Sequence, residues 1–268
     1  MPTVYRTPND FVNHLINPGL NAIPGRIPLK QYVCLSKKNG GNAEIDALLS
    51  ALRAKALRDK STRETIDEYV GATELNLLWK GQGRPQSFID VMDFLVDNKD
   101  QMQGVQGTLG KVYSKYFAQT EDATALKKMV ADHYFGIDCI GFVANYLRFC
   151  GLWNEYKPYE IDQWDRVFTK RVNTIDDIEH LSLMVWPGSH VALVHIAWAD
   201  DLGPLKCKVD ICQSSKGGPQ TNRGIYLTDS RSPTVKGYKA FAIEGKVPVG
   251  GHCYLMTWPE LRYGVDPT

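Results

Sequence analysis

The sequence has no excess of one charge. Its 31 Lys and Arg stand against 30 Asp and Glu, a formal net charge of +1, and no long run of either sign occurs. Charge therefore gives no reason to expect nucleic acid or an anionic membrane surface as a partner. Long hydrophobic runs are missing too: nothing approaches the roughly eighteen apolar residues that a membrane-spanning helix needs. The opening MPTVYRTPND lacks a basic stretch followed by an apolar one, so no secretory signal is read there. The six cysteines include no C-x-x-C pair, and Cys207 with Cys212 has no second half. Neither a disulfide scaffold nor a zinc site is expected, and no metal or organic cofactor. Reduced thiols in a protein that is cytoplasmic as made are the default reading. Repeats and low-complexity segments are also absent.

What is present is an ordinary globular composition, 43% hydrophobic and 23% charged over 268 residues. That length can fill one large core or two small ones. One short strand is expected at QYVCLSK, and the pattern from there to about residue 150 is helical. NAEIDALLSALRAKAL carries Ile45, Leu48, Leu49 and Leu52 on one face with Asn42 placed to cap it. STRETIDEYV opens with Ser61 and Glu64 at capping-box spacing, PQSFIDVMDFLVDN aligns Phe88, Val91 and Leu95, and DATALKKMVADHYF is a further helix. After Gly151 the segments SLMVWPGSHVALVHIAWA, LKCKVDICQSS, RGIYLTDS and YKAFAIEG read as strands, with a reversal at GGPQTNRG. Helices first and strands later predict an α+β fold with an antiparallel sheet.

GIDCIGFVANYL holds the one cysteine at a position of chemical interest. Ile140, Val143, Ala144 and Leu147 form a helical stripe, and Gly151 supplies a stop. Asp138 is a good cap, which puts Cys139 at the first helical position. Unpaired N–H groups and the helix dipole there favour a thiolate and can hold an oxyanion. Gly141 leaves room for a close approach to the backbone. Two observations pull the other way. A buried cysteine often serves only as a small hydrophobe, and the adjacent Asp138 carboxylate disfavours a second negative charge.

A cysteine nucleophile needs a base and a group to orient that base. His190 begins a strand directly after the WPGS turn, on a face shared with Ala192, Val194 and Ile196. His195 is mid-strand and reads as a satisfied packing histidine; His14, His133, His180 and His252 read as structural or surface residues. On the next strand Cys207, Val209 and Ile211 form an apolar row that closes with Gln213. Gln213 can accept from a ring N–H and fix its tautomer. Asp210 has the better charge but is expected among solvent-facing positions. A rim glutamine bonded to backbone is the plainer alternative for Gln213.

These stretches resemble a known family. DCIGFV followed by SHVALV and then a strand ending in a polar residue is similar to the NlpC/P60 and CHAP peptidases, papain-like cysteine hydrolases. Asp138, Cys139, Gly141, Phe142 and Val143 match the cysteine motif, and His190, Val191, Ala192 and Val194 the histidine motif. Ile140 and Ser189 depart from it, and the Tyr…Gly-Gly segment that normally precedes the cysteine is absent. The resemblance implies a nucleophile helix packed on an antiparallel sheet in a papain-like core (106–268), with a helical N-terminal extension (1–105) that could belong to the same domain. It implies Cys139 as nucleophile, His190 as base and Gln213 as orienter, with Cys212 the alternative alignment for the third position. The implied substrate is an amide bond in peptidoglycan. Without a signal, such an enzyme fits signal-independent delivery, as an antibacterial effector with an immunity-protein partner or as a lysin. A protease, deamidase or acyltransferase acting on proteins, and an inactive binding module, are the alternatives.

Overall fold

The computed structural model describes residues 3–4, 6–16, 27–29, 43–54, 57–154, 158–198, 205–229, 234–247 and 251–263. The expected strand at QYVCLSK lies outside them. In chain order the N-terminal elements are β1 (Thr3–Val4), α1 (Pro8–Ile16), α2 (Ala43–Arg53), α3 (Ile66–Val70) and α4 (Ala72–Trp79). Then come α5 (Pro85–Asp97), α6 (Lys99–Met102), α7 (Thr108–Val112), which runs into a π-helical turn at Tyr113–Phe117, α8 (Asp122–Ala131) and α9 (Cys139–Phe149). The strands are β2 (Lys170–Arg171), β3 (Leu183–Trp186), β4 (His190–Trp198), β5 (Lys206–Ser215), β6 (Gly218–Asp229), β7 (Phe241–Glu244), β8 (His252–Thr257) and β9 (Arg262–Tyr263). The chain forms two compact units, Met1–Asn13 with Phe142–Thr268, and His14–Gly141.

The helical unit, His14–Gly141, is assembled from amphipathic pieces that the hydrophobic spacing anticipates. On α2, Ile45, Leu48, Leu49 and Leu52 are buried, each contributing about 1.5–3 kcal/mol. On α5, Pro85 occupies the first turn, where its missing N–H costs nothing, and Phe88, Val91 and Leu95 are buried. One start differs from expectation. Asp59 accepts from the Ser61 and Thr62 N–H groups, each at 2.8 Å, so those residues form a turn. The helix begins four residues later, where Glu68 accepts the Thr65 N–H at 2.8 Å.

In the other unit β3 to β8 form a closed antiparallel barrel in the order β8-β3-β4-β5-β6-β7, with β7 returning to β8. This overturns the expected papain-like core of a helix packed on an open sheet. Closure comes from HCYLMT at His252–Thr257, a strand not expected from the sequence: it pairs Leu183 with Met256 on one side and Phe241 with Cys253 on the other. Two β-bulges, between Val194 and Ile196 and between Val209 and Ile211, add the local bend and twist that a small barrel requires. The barrel interior holds Met184, Trp186, Ala192, Val194, Val209, Ile211, Ile225, Leu227, Phe241 and Leu255. The bulge after Val194 shifts the inward face by one residue, so Ala197 packs on the core rather than the expected Ile196. The reversal between β5 and β6 occupies only Lys216 and Gly217, and PQTNRG belongs to β6.

In the same unit the C-terminal part of α9 packs on the chain's beginning. Phe11 contacts Phe142 and Phe149 at centroid distances of 5.4 and 5.3 Å. The Tyr146 hydroxyl donates to the Arg6 carbonyl at 2.8 Å. Gly151 ends α9 as expected: with φ at 71° it lets the Leu152 N–H reach the Leu147 carbonyl at 2.8 Å.

Candidate functional site

Cys139 belongs to the helical unit; His190 and Gln213 belong to the barrel unit. Each half is built from its own neighbours.

Cys139 is the first residue of α9 and is 3% exposed. Asp138 precedes it as the cap, accepting the Gly141 N–H at 2.5 Å. Its second oxygen accepts from Gln82 Nε2 at 2.9 Å, and its own N–H donates to the Gly81 carbonyl at 2.8 Å. The buried Asp138 charge is thus held by donors on both oxygens, which orients the first turn. Gln82 was missed in the sequence because it is 56 residues away and no local pattern links the two. Gly141 gives the close approach to the backbone that the sequence suggests. A Cβ there would lie 2.0 Å from the Gly81 carbonyl oxygen, so what comes close to this glycine is the turn after α4.

His190 is 3% exposed and Gln213 fully buried, both at the end of inward-facing rows of the barrel. His190 Nε2 donates a hydrogen bond to Gln213 Oε1. An amide oxygen can only accept, so Nε2 carries the proton and Nδ1 keeps its lone pair. Trp186, paired with His190 across β3 and β4, lies 5.4 Å from the imidazole by ring centroids. Burial in this apolar end pushes the His190 pKa down to about 4; the Gln213 bond opposes the fall but is the smaller influence. Gln213 Nε2 in turn donates to Asn222 Oδ1 at 2.6 Å. Asn222 escaped notice because it falls in GGPQTNRG, which reads from the sequence as a turn, whereas PQTNRG belongs to β6.

The other candidates take structural places. His195 lies at the β-bulge, half-buried; its Nδ1 has no hydrogen-bond partner among the described residues, and its carbonyl accepts from His180 Nδ1 at 2.8 Å. Asp210 is buried rather than solvent-facing, and accepts the Gly224 N–H at 2.8 Å within the β6 bulge. Cys212 is a buried thiol 3.2 Å from the Thr221 hydroxyl, its pKa raised to about 12 by burial. His133, His180 and His252 are exposed. Among the described residues no group of three or more His, Cys, Asp and Glu could hold a metal ion, and no helix is long and apolar enough to cross a membrane. No protein-family model, curated protein or solved structure matches the chain.

Proposed function

We propose that the protein is a cysteine hydrolase of amide bonds, with Cys139 as nucleophile, His190 as base and then acid, and Gln213 as orienter of the imidazole. The observation that carries this reading is the His190–Gln213 bond, which leaves one defined nitrogen, Nδ1, as a base. In the proposed cycle Nδ1 takes the thiol proton as sulfur attacks the carbonyl carbon. The protonated ring then gives that proton to the departing amine, and water, deprotonated by the same nitrogen, cleaves the thioester to release the acid and restore the thiol. A base held near 4 favours a resting thiol and neutral imidazole, so charge separation occurs only as bonds form. The likeness of DCIGFV and SHVALV to NlpC/P60 peptidases supports peptidoglycan stem peptides as the substrate. An immunity protein is the corresponding partner if the enzyme is delivered as a toxin.

The test is digestion of purified peptidoglycan with wild type, Cys139→Ala and His190→Gln, followed by mass spectrometry of released fragments. Cleavage that disappears in both variants supports the reading; cleavage that survives Cys139→Ala ends it. Bridging by 1,3-dibromoacetone tests directly whether sulfur and imidazole meet. A peptide containing Cys139 cross-linked to one containing His190 is expected, and alkylation of each residue separately counts against the pair. A second reading, a binding module without hydrolase activity, is favoured by the near-complete burial of Cys139 and by the low basicity of His190. Binding to peptidoglycan without release of fragments selects it.

A further inference from the structure

Resting on the hydrolase reading, we infer that Asn222 is a positioning residue that sets which nitrogen of His190 is basic. One group in the relay has an unambiguous role. The main-chain carbonyl of Lys246 can only accept, and Asn222 Nδ2 donates to it across a long 3.4 Å. That contact turns the Asn222 amide so that Oδ1 faces Gln213. Oδ1 can only accept, so the group of Gln213 that faces it, at 2.6 Å, must be the Nε2 amino group. The remaining Gln213 atom, Oε1, is therefore the one presented to His190, and it demands a proton on Nε2. Each step excludes its mirror image, and the direction of the whole relay is fixed at the Lys246 end.

Without Asn222 the choice reopens. A Gln213 amide rotated by half a turn would point its amino group at His190 Nε2, which would then have to accept, moving the ring proton to Nδ1. The basic nitrogen would change sides. Gln213 is fully buried, so no bulk water substitutes for the missing acceptor, and an unmatched amino group there is costly. The orientation preference contributed by one hydrogen bond of ordinary net strength corresponds to a ratio of roughly two to tenfold between tautomers.

The experiment is long-range 1H–15N correlation of the His190 imidazole, which distinguishes the two neutral tautomers, in wild type, Asn222→Leu, Asn222→Asp and the double variant Asn222→Leu with Gln213→Glu. Wild type should be mainly the Nε2–H tautomer. Asn222→Leu should show a more nearly equal mixture, with kcat reduced by up to about twofold at unchanged KM. Asn222→Asp keeps an acceptor toward Gln213 and should restore the wild-type tautomer. In the double variant both oxygens of residue 213 accept, so the tautomer should no longer depend on position 222. A wild-type Nδ1–H tautomer overturns the inference with no variant needed, as does an Asn222→Leu protein with an unmixed Nε2–H ring. If the tautomer responds as expected while wild type cleaves nothing, the relay stands and the hydrolase reading falls.

Discussion

Replacing His190 by Gln removes a titrating ring from the barrel while keeping a donor for Gln213, and its effect on stability should depend strongly on pH. The unperturbed imidazole titrates near 6.5, whereas burial holds His190 near 4 in the folded protein. Above 6.5 both folded and unfolded chains carry a neutral ring, and its contribution to stability is fully present. As pH falls from 6.5 toward 4, the unfolded chain takes up a proton that the folded protein refuses, so stability is lost at about 1.4 kcal/mol per pH unit. Below about 4 both states are protonated and the loss is complete, at about 3 kcal/mol. Between pH 7 and pH 5 wild type should lose about 2 kcal/mol more than His190→Gln. The assay is urea unfolding of both proteins at the two pH values; taking the difference cancels every other titrating group, His195 included. A wild-type-minus-variant difference that moves by less than about 0.5 kcal/mol would refute the claim that the ring is buried and uncharged.

Three substitutions probe the supporting structure. Gly141→Ala would stabilise an exposed helix position by about 1 kcal/mol. Here the added carbon meets the Gly81 carbonyl at 2.0 Å, so the sign should reverse, with a loss of about 2–3 kcal/mol in urea unfolding. Asp138→Ala removes the α9 cap and the acceptor of Gln82. A loss of about 2 kcal/mol is expected from denaturant unfolding at neutral pH, and one no larger than about 0.5 would remove the cap assignment. Asp210→Ala deprives the Gly224 N–H of its acceptor and should cost about 1–2 kcal/mol, with faster hydrogen exchange at Gly224 as the local readout.

Short-range pattern made most of the helices legible. The 3.6-residue spacing located the buried face of α2, and Asp138 followed by an apolar stripe located the start of α9. Period-two alternation likewise put His190 and Gln213 on inward-facing rows, where they meet. Long-range pairing was the obstacle elsewhere. Nothing local in HCYLMT says that it pairs with both β3 and β7, and that one strand separates an open sheet from a closed barrel. The β-bulges were equally hidden: the one after Val194 changes the parity of β4 beyond it, which misplaced Ile196. The Ser61 capping box failed because Asp59 outcompetes the helix for the N–H groups of Ser61 and Thr62, a contest that spacing alone does not score.

The parallel ladder between Thr3–Val4 and Arg262–Tyr263 bears on how the molecule is made. Its two strands belong to the barrel unit, which is interrupted in the chain by His14–Gly141. On the ribosome the helical unit emerges whole and can fold as soon as it leaves the exit tunnel. The barrel must wait until His252–Thr257 supplies the closing strand. A nascent chain stalled before residue 252 should therefore carry a folded helical unit and an unfinished barrel.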